Sequence, residues 1–125
     1  MWSIEYDPGT RVLTLRLVLQ VTAVQMRSFA RAHVQALAAT GGEPFKVLAD
    51  LRGLTPLDVD AAQVLGEVRR AAAALATFRG RATLTDSPTV AMQQRRSLIE
   101  EGTPLKLEVI TMDERDAKAF VARGA

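Results

Sequence analysis

The strongest constraint on the fold is a repeated change in the period of the hydrophobic pattern. Short stretches alternate apolar and polar residues, as half-buried strands do. Longer stretches between them carry apolar residues every three or four positions, as amphipathic helices do. Trp2, Ile4 and Tyr6 alternate with Ser3 and Glu5, and Leu13, Leu15 and Leu17 alternate with Thr14 and Arg16. Between them Asp7 to Thr10 supplies Pro8 and Gly9, so the chain opens with a hairpin.

A helix is predicted from Thr22 to Thr40. Thr22 and Gln25 have the spacing of a capping box, Met26, Phe29, Ala30, His33 and Leu37 make its apolar stripe, and Gly41 and Gly42 stop it. Phe45 to Leu51 reads as a strand and Arg52 to Asp58 as a loop. A second helix runs from about Asp60 to Thr77, with Val64, Leu65, Val68, Ala72 and Leu75 on one face. Arg81, Thr83 and Thr85 alternate with Ala82 and Leu84 in the next strand. Ser87 then caps a third helix with Pro88 in its first turn, ending near Gly102. Leu105, Leu107 and Val109 mark a last strand, and Asp113, Glu114 and Asp116 open a last helix that should stop at Gly124.

The order β-β-α-β-α-β-α-β-α describes an α/β domain spanning residues 1–125, since 125 residues suit one domain. Helical crossovers imply parallel strands, and the hairpin adds one antiparallel strand, giving a mixed five-stranded sheet. The alternating strands imply that much of one sheet face is polar, with the four helices mainly on the other.

Composition removes several kinds of chemistry. With no cysteine, disulfides, thiolate metal sites and cysteine nucleophiles are excluded, and a single histidine rules out a two-histidine metal site within the chain. The net charge of +2 comes from basic residues scattered among acids, which predicts no nucleic-acid groove. Arg69–Arg70 and Arg95–Arg96 read as solvated helix faces. No stretch approaches the ~20 apolar residues of a membrane span, and the first nine residues lack a signal-peptide core, so a cytoplasmic protein is expected.

Few residues offer chemistry. His33, on an apolar stripe, reads as a core or boundary residue. Asp50, Asp58 and Asp60 gather where a strand ends and a helix begins, a pattern that can hold Mg²⁺, though capping of the helix explains Asp58 or Asp60 more simply. No glycine-rich phosphate cradle is present. Arg95, flanked by Ala91, Met92, Leu98 and Ile99, either lays its stem along the core edge or meets a carboxylate, ligand or partner. No catalytic group, metal or cofactor is expected.

Residues 50–65, DLRGLTPLDVDAAQVL, carry a resemblance. Asp50, Leu51 and Gly53 resemble the strand-ending Asp-Leu-x-Gly stretch of the STAS domain of bacterial anti-sigma factor antagonists. Asp58 matches the Asp of that family's Asp-Ser-Ser-Gly motif, and Val64 and Leu65 match the apolar residues after it. Val59 replaces the first serine, Asp60 the phosphorylated serine and Ala61 the glycine. The element order resembles the same fold across nearly the whole chain, and the departures place it near the divergent SpoIIAA-like group.

The resemblance implies a non-enzymatic regulatory module of bacterial signalling. Its partner would be a protein, such as a regulatory kinase, bound through Arg52, Asp58, Val59, Asp60 and Arg95. Asp60 would supply a fixed negative charge in place of a phosphoserine. The alternative implied by the same group is a small-ligand or lipid-binding domain, with Ala71–Ala74 leaving space beside the sheet. Partly polar sheet edges and surface apolar residues permit a homodimer.

Overall fold

Alternation along the first residues produces β1 (Trp2–Asp7) and β2 (Val12–Leu17), paired antiparallel with Ile4 opposite Leu15. The computed structural model describes residues 1–123, so the expected stop at Gly124 lies outside the described residues. Thr22 begins α1 (Ala23–Ala39) through both halves of the capping box. Its Oγ1 accepts from Gln25 N at 3.2 Å, and Gln25 Oε1 accepts from Thr22 N at 2.9 Å. There follow β3 (Phe45–Asp50), α2 (Val59–Ala73), β4 (Phe78–Leu84), α3 (Pro88–Glu100), β5 (Glu108–Thr111) and α4 (Glu114–Ala122).

The strands lie in chain order, β1-β2-β3-β4-β5, parallel from β2 onward. A right-handed crossover at every step of such an order puts each connecting helix on the same face. Leu13, Leu15, Leu17, Phe45 and Val47 form that face, and Met26 and Phe29 of α1, Val64, Leu65 and Val68 of α2 and Val90 of α3 pack on it. No crossover constrains α4, which covers part of the opposite face: Ala117, Phe120 and Val121 pack on Leu48, Ala82 and Leu84. Close approach there depends on Gly80 (φ +137°), where a Cβ would stand 2.8 Å from Phe120 Cζ. The five-stranded mixed sheet with helices mainly on one face is thus observed. Beyond α4, the far face over the hairpin is polar, with Ser3, Glu5, Asp7 and Arg16 exposed.

One expectation is overturned in β4. Arg81 and Thr83 align with Val47 and Ala49, so they face the helices, and Arg81, Thr83 and Thr85 are 2%, 4% and 0% exposed. The polar row lies inside and the apolar row meets α4. Three boundaries also differ. Leu105–Leu107 form a 3₁₀ turn after Pro104 rather than strand, so β5 starts at Glu108. β4 begins at Phe78 rather than Arg81. α2 accordingly ends at Ala73 rather than Thr77, because Phe78 must reach the sheet core, and Leu75 is left exposed.

Candidate functional site

At the carboxyl end of β3 the chain is pinned from several sides. Asp50 accepts from Arg52 Nε at 3.0 Å, Arg52 Nη2 at 2.8 Å and the Arg52 backbone at 3.1 Å. Arg52 Nη1 also lies 3.4 Å from Glu114 Oε2, tying the loop to the start of α4. Burial pushes the Asp50 carboxyl up, but the Arg52 bonds and charge outweigh it and hold it below its ordinary value. The same bonds raise the Arg52 guanidinium, with Glu114 adding to the effect, against a smaller opposing effect of burial. Gly53 N donates to Asp86 Oδ1 at 3.1 Å, and Gln93 brackets Leu57 by bonds of 3.4 and 3.3 Å to its N–H and carbonyl.

The helix that follows explains two of the three acids. Asp58 Oδ1 accepts from Ala61 N at 2.8 Å as the N-cap of α2, and Asp50 is occupied by Arg52. Among the described residues no three His, Cys, Asp or Glu side chains converge as metal ligands. Val59 and Asp60 occupy the first turn, and the Val59 side chain stands 76% exposed. Leu19 joins this end of the sheet. It sits in the left-handed region (φ +64°), 61% exposed, with its N–H bonded to Gly53 O and its carbonyl to Thr55 N. A leucine held there is strained, and nothing in its local sequence announces it.

Arg95 needs correction. The buried stripe of α3 is Val90, Ala91, Gln94 and Leu98, while Met92, Arg95 and Ile99 share the exposed face. Arg95 is therefore neither packed in the core nor joined to Asp58 and Asp60 by any bond or ion pair described here. The buried arginine of the helices is Arg69, expected on a solvated face but 6% exposed. Its spacing was a signal: it follows Leu65 by four positions and precedes Ala72 by three.

Arg69 belongs to a charged cluster between α2, α3 and the sheet. It donates to Gln94 Oε1 and, at 2.9 Å, to Glu101 Oε1. Arg81 donates to the Arg69 carbonyl at 3.1 Å and lies 3.5 Å from Glu108 Oε2. Arg69 Nε, Arg81 Nε and Nη1, and Glu108 Oε2 are buried without hydrogen-bond partners. Burial lowers Arg81 to about 10, with Glu108 opposing, and raises Glu108, with Arg81 opposing. His33, 1% exposed on the buried face of α1, is lowered to about 4 by burial and then by the Arg81 charge. Above the cluster a groove of about 650 Å³ runs between α2 and α3, lined by Leu57, Val59, Gly66, Arg70, Gln93 and Arg96 among others. Gly66 admits Glu101, whose Oε1 would lie 2.8 Å from a Cβ at that position.

No family model and no curated protein sequence matches the chain. Two solved structures are similar over 97% of it, each with a TM-score of 0.67. One is an uncharacterised protein of the DUF3478 family from Shewanella loihica, 18% identical and covered over 92% of its length, described as having a SpoIIAA-like fold. The other is an anti-sigma factor antagonist from Mycobacterium paratuberculosis, 12% identical and covered over 94%. With its hairpin, parallel strands in chain order and three crossover helices on one face, this chain has the SpoIIAA-like fold.

Proposed function

We propose that the protein is a non-enzymatic regulatory module of bacterial signalling that binds a protein partner, such as a regulatory kinase, in the cytoplasm. The observation that carries this reading is Val59, a large apolar side chain 76% exposed on the first turn of α2. Asp58 and Asp60 flank it, and the preceding loop is held by Asp50–Arg52–Glu114, Gly53–Asp86 and Leu57–Gln93. A rigid loop presenting an apolar residue between two acids loses little entropy on binding. The fold shared with an anti-sigma factor antagonist supports the same reading. Asp60 carries a constant negative charge, so binding needs no phosphorylation at this position. Arg52 orders the loop and Arg95 extends the contact onto α3. Affinity capture from a native bacterial lysate tests the proposal: Val59→Lys and Asp60→Lys should each lose a protein that the unmodified chain retains. Retention of every captured protein by both variants would overturn it.

A second reading, small-ligand or lipid binding, is favoured by the groove of about 650 Å³ between α2 and α3, a volume within the range of small-molecule sites. Native mass spectrometry of gently purified protein should then show an added mass that a bulky substitution at Ala62, on the groove wall, removes. An unliganded spectrum, with no lipid-dependent rise in Tm, would reject it.

A further inference from the structure

We propose that β1 is a self-association edge, along which two copies pair antiparallel about Ile4 to join their sheets into one. β1 is the outermost strand, and its six residues hold no proline, no lysine and no bulge, three of the devices that keep an edge from pairing; its charged residues are Glu5 and Asp7. Met1 and Val18 exchange both backbone bonds, at 3.2 and 3.0 Å. By the antiparallel alternation, Ser3, Glu5 and Asp7 then turn their backbone groups toward β2. Trp2, Ile4 and Tyr6 turn theirs outward, where no strand meets them among the described residues.

Those outward groups select the register. Only residues whose N–H and C=O both face the edge can form a hydrogen-bonded pair, so Trp2, Ile4 and Tyr6 must pair among themselves. Centring on Ile4 sets Ile4 against its own copy and Trp2 against Tyr6 of the second copy, which uses every free group. It also sets Ser3 against Glu5 of the second copy. A register centred on Glu5 opposes two glutamates, and one centred on Ser3 leaves Tyr6 unpaired. Charge and backbone therefore favour the same arrangement.

The helix layer fits it as well. In this register both α1 helices lie on the same side of the joined sheet. α1 packs beside β1, with Phe29 against Trp2 and His33 toward Arg81 of β4. Its flank away from β4 is therefore Gln25, Ser28, Ala32, Gln35, Ala36 and Ala39, mostly small residues, with the Arg31 guanidinium donating to Ser28 Oγ at 3.0 Å. The edge is separated from the partner surface by β2, so this inference does not rest on the proposed function.

Sedimentation equilibrium across a concentration series tests it. The chain should approach twice its 13.6 kDa mass. Ser3→Glu places a glutamate against Glu5 of the second copy at two symmetric positions, which should weaken the dimer roughly tenfold. Within one copy the new carboxylate faces Arg16, its β2 neighbour, so the Tm should hold or rise. Adding Glu5→Lys to Ser3→Glu should restore the dimer. Amide exchange should protect Trp2, Ile4 and Tyr6 only at concentrations where the dimer forms. A monomer at every concentration, or a dimer indifferent to Ser3→Glu, would overturn the proposal.

Discussion

Replacing Arg81 by methionine removes one charge from the buried cluster while keeping an unbranched stem in the same space. Arg81 is 2% exposed, and the Glu108 side chain that it faces at 3.5 Å is also 2% exposed. In the variant Glu108 keeps only the more distant influence of Arg69. Breaking a buried pair by removing one partner costs about 3–5 kcal/mol, a large share of the roughly 5–15 kcal/mol that holds a domain together. At about 4 °C per kcal/mol for this size, the Tm at pH 7 should fall by about 12–20 °C. The sign of the pH dependence follows from Glu108. Burial raises its folded pKa above the ordinary 4.5, and losing Arg81 raises it further. A carboxyl raised in the folded state binds its proton more tightly there. The stability it contributes is complete below the unfolded value and is lost as pH climbs through the folded one. The cost of Arg81→Met should therefore be small near pH 4.5 and full at pH 7. The double variant Arg81→Met with Glu108→Leu removes three buried atoms that lack partners, so it should return to within about 2 kcal/mol of the parent. Urea unfolding followed by circular dichroism at both pH values reads all three proteins. A cost under about 1 kcal/mol for the single variant, or a double variant no more stable than the single, would refute the reasoning.

His33 should make the protein acid-labile in a definite window. Its folded pKa of about 4 lies below the ordinary 6.5, so the unfolded chain binds a proton that the folded chain refuses. Stability present above pH 6.5 is then lost as pH falls toward 4, by about 3 kcal/mol. His33→Leu should flatten that slope in unfolding curves, and an unchanged slope would place the acid sensitivity elsewhere. Gly80→Ala forces a Cβ to within 2.8 Å of Phe120 at a φ of +137°. It should cost about 2–4 kcal/mol in thermal unfolding and speed amide exchange in α4. A loss under about 1 kcal/mol would show that α4 yields freely.

Much of this architecture is legible in the chain because local signals coincide with it. The Thr22–Gln25 box, Asp58 and Ser87 each cap the helix their spacing announces. Period-two stretches located β1, β2, β4 from Arg81 onward and part of β5, and an apolar run located β3. What stayed hidden is which side of an element faces inward. In β4 the alternation of Arg81, Thr83 and Thr85 with Ala82 and Leu84 has the same period whichever row is buried. Only α4, packing on Ala82 and Leu84 from a distant part of the chain, decides it. In α3 the apolar residues allow two phases, one through Met92 and Ile99 and one through Val90 and Leu98. Arg69 reaching Gln94 accompanies the second, and that contact joins two helices. The exposed Leu19 was equally invisible, because its conformation is held by Gly53 and Thr55 across the sheet. As for the candidate residues, Arg52, Asp58, Val59 and Asp60 do lie along one loop and helix start, and Arg95 stands on another helix.

The order of strands within the sheet carries a consequence for how the molecule comes into being. Because β1 to β5 lie side by side in chain order, each strand arriving finds its neighbour already in place, with one connecting segment to close. Loop closures stay short, and short closures favour rapid folding. During synthesis the hairpin can form first and offer β2 as a template for β3, then β3 for β4, so the sheet grows outward behind the emerging chain. Among the described elements α4 reaches back over strands laid down earlier, against β3 and β4 as well as β5, so its docking follows the growth of the sheet.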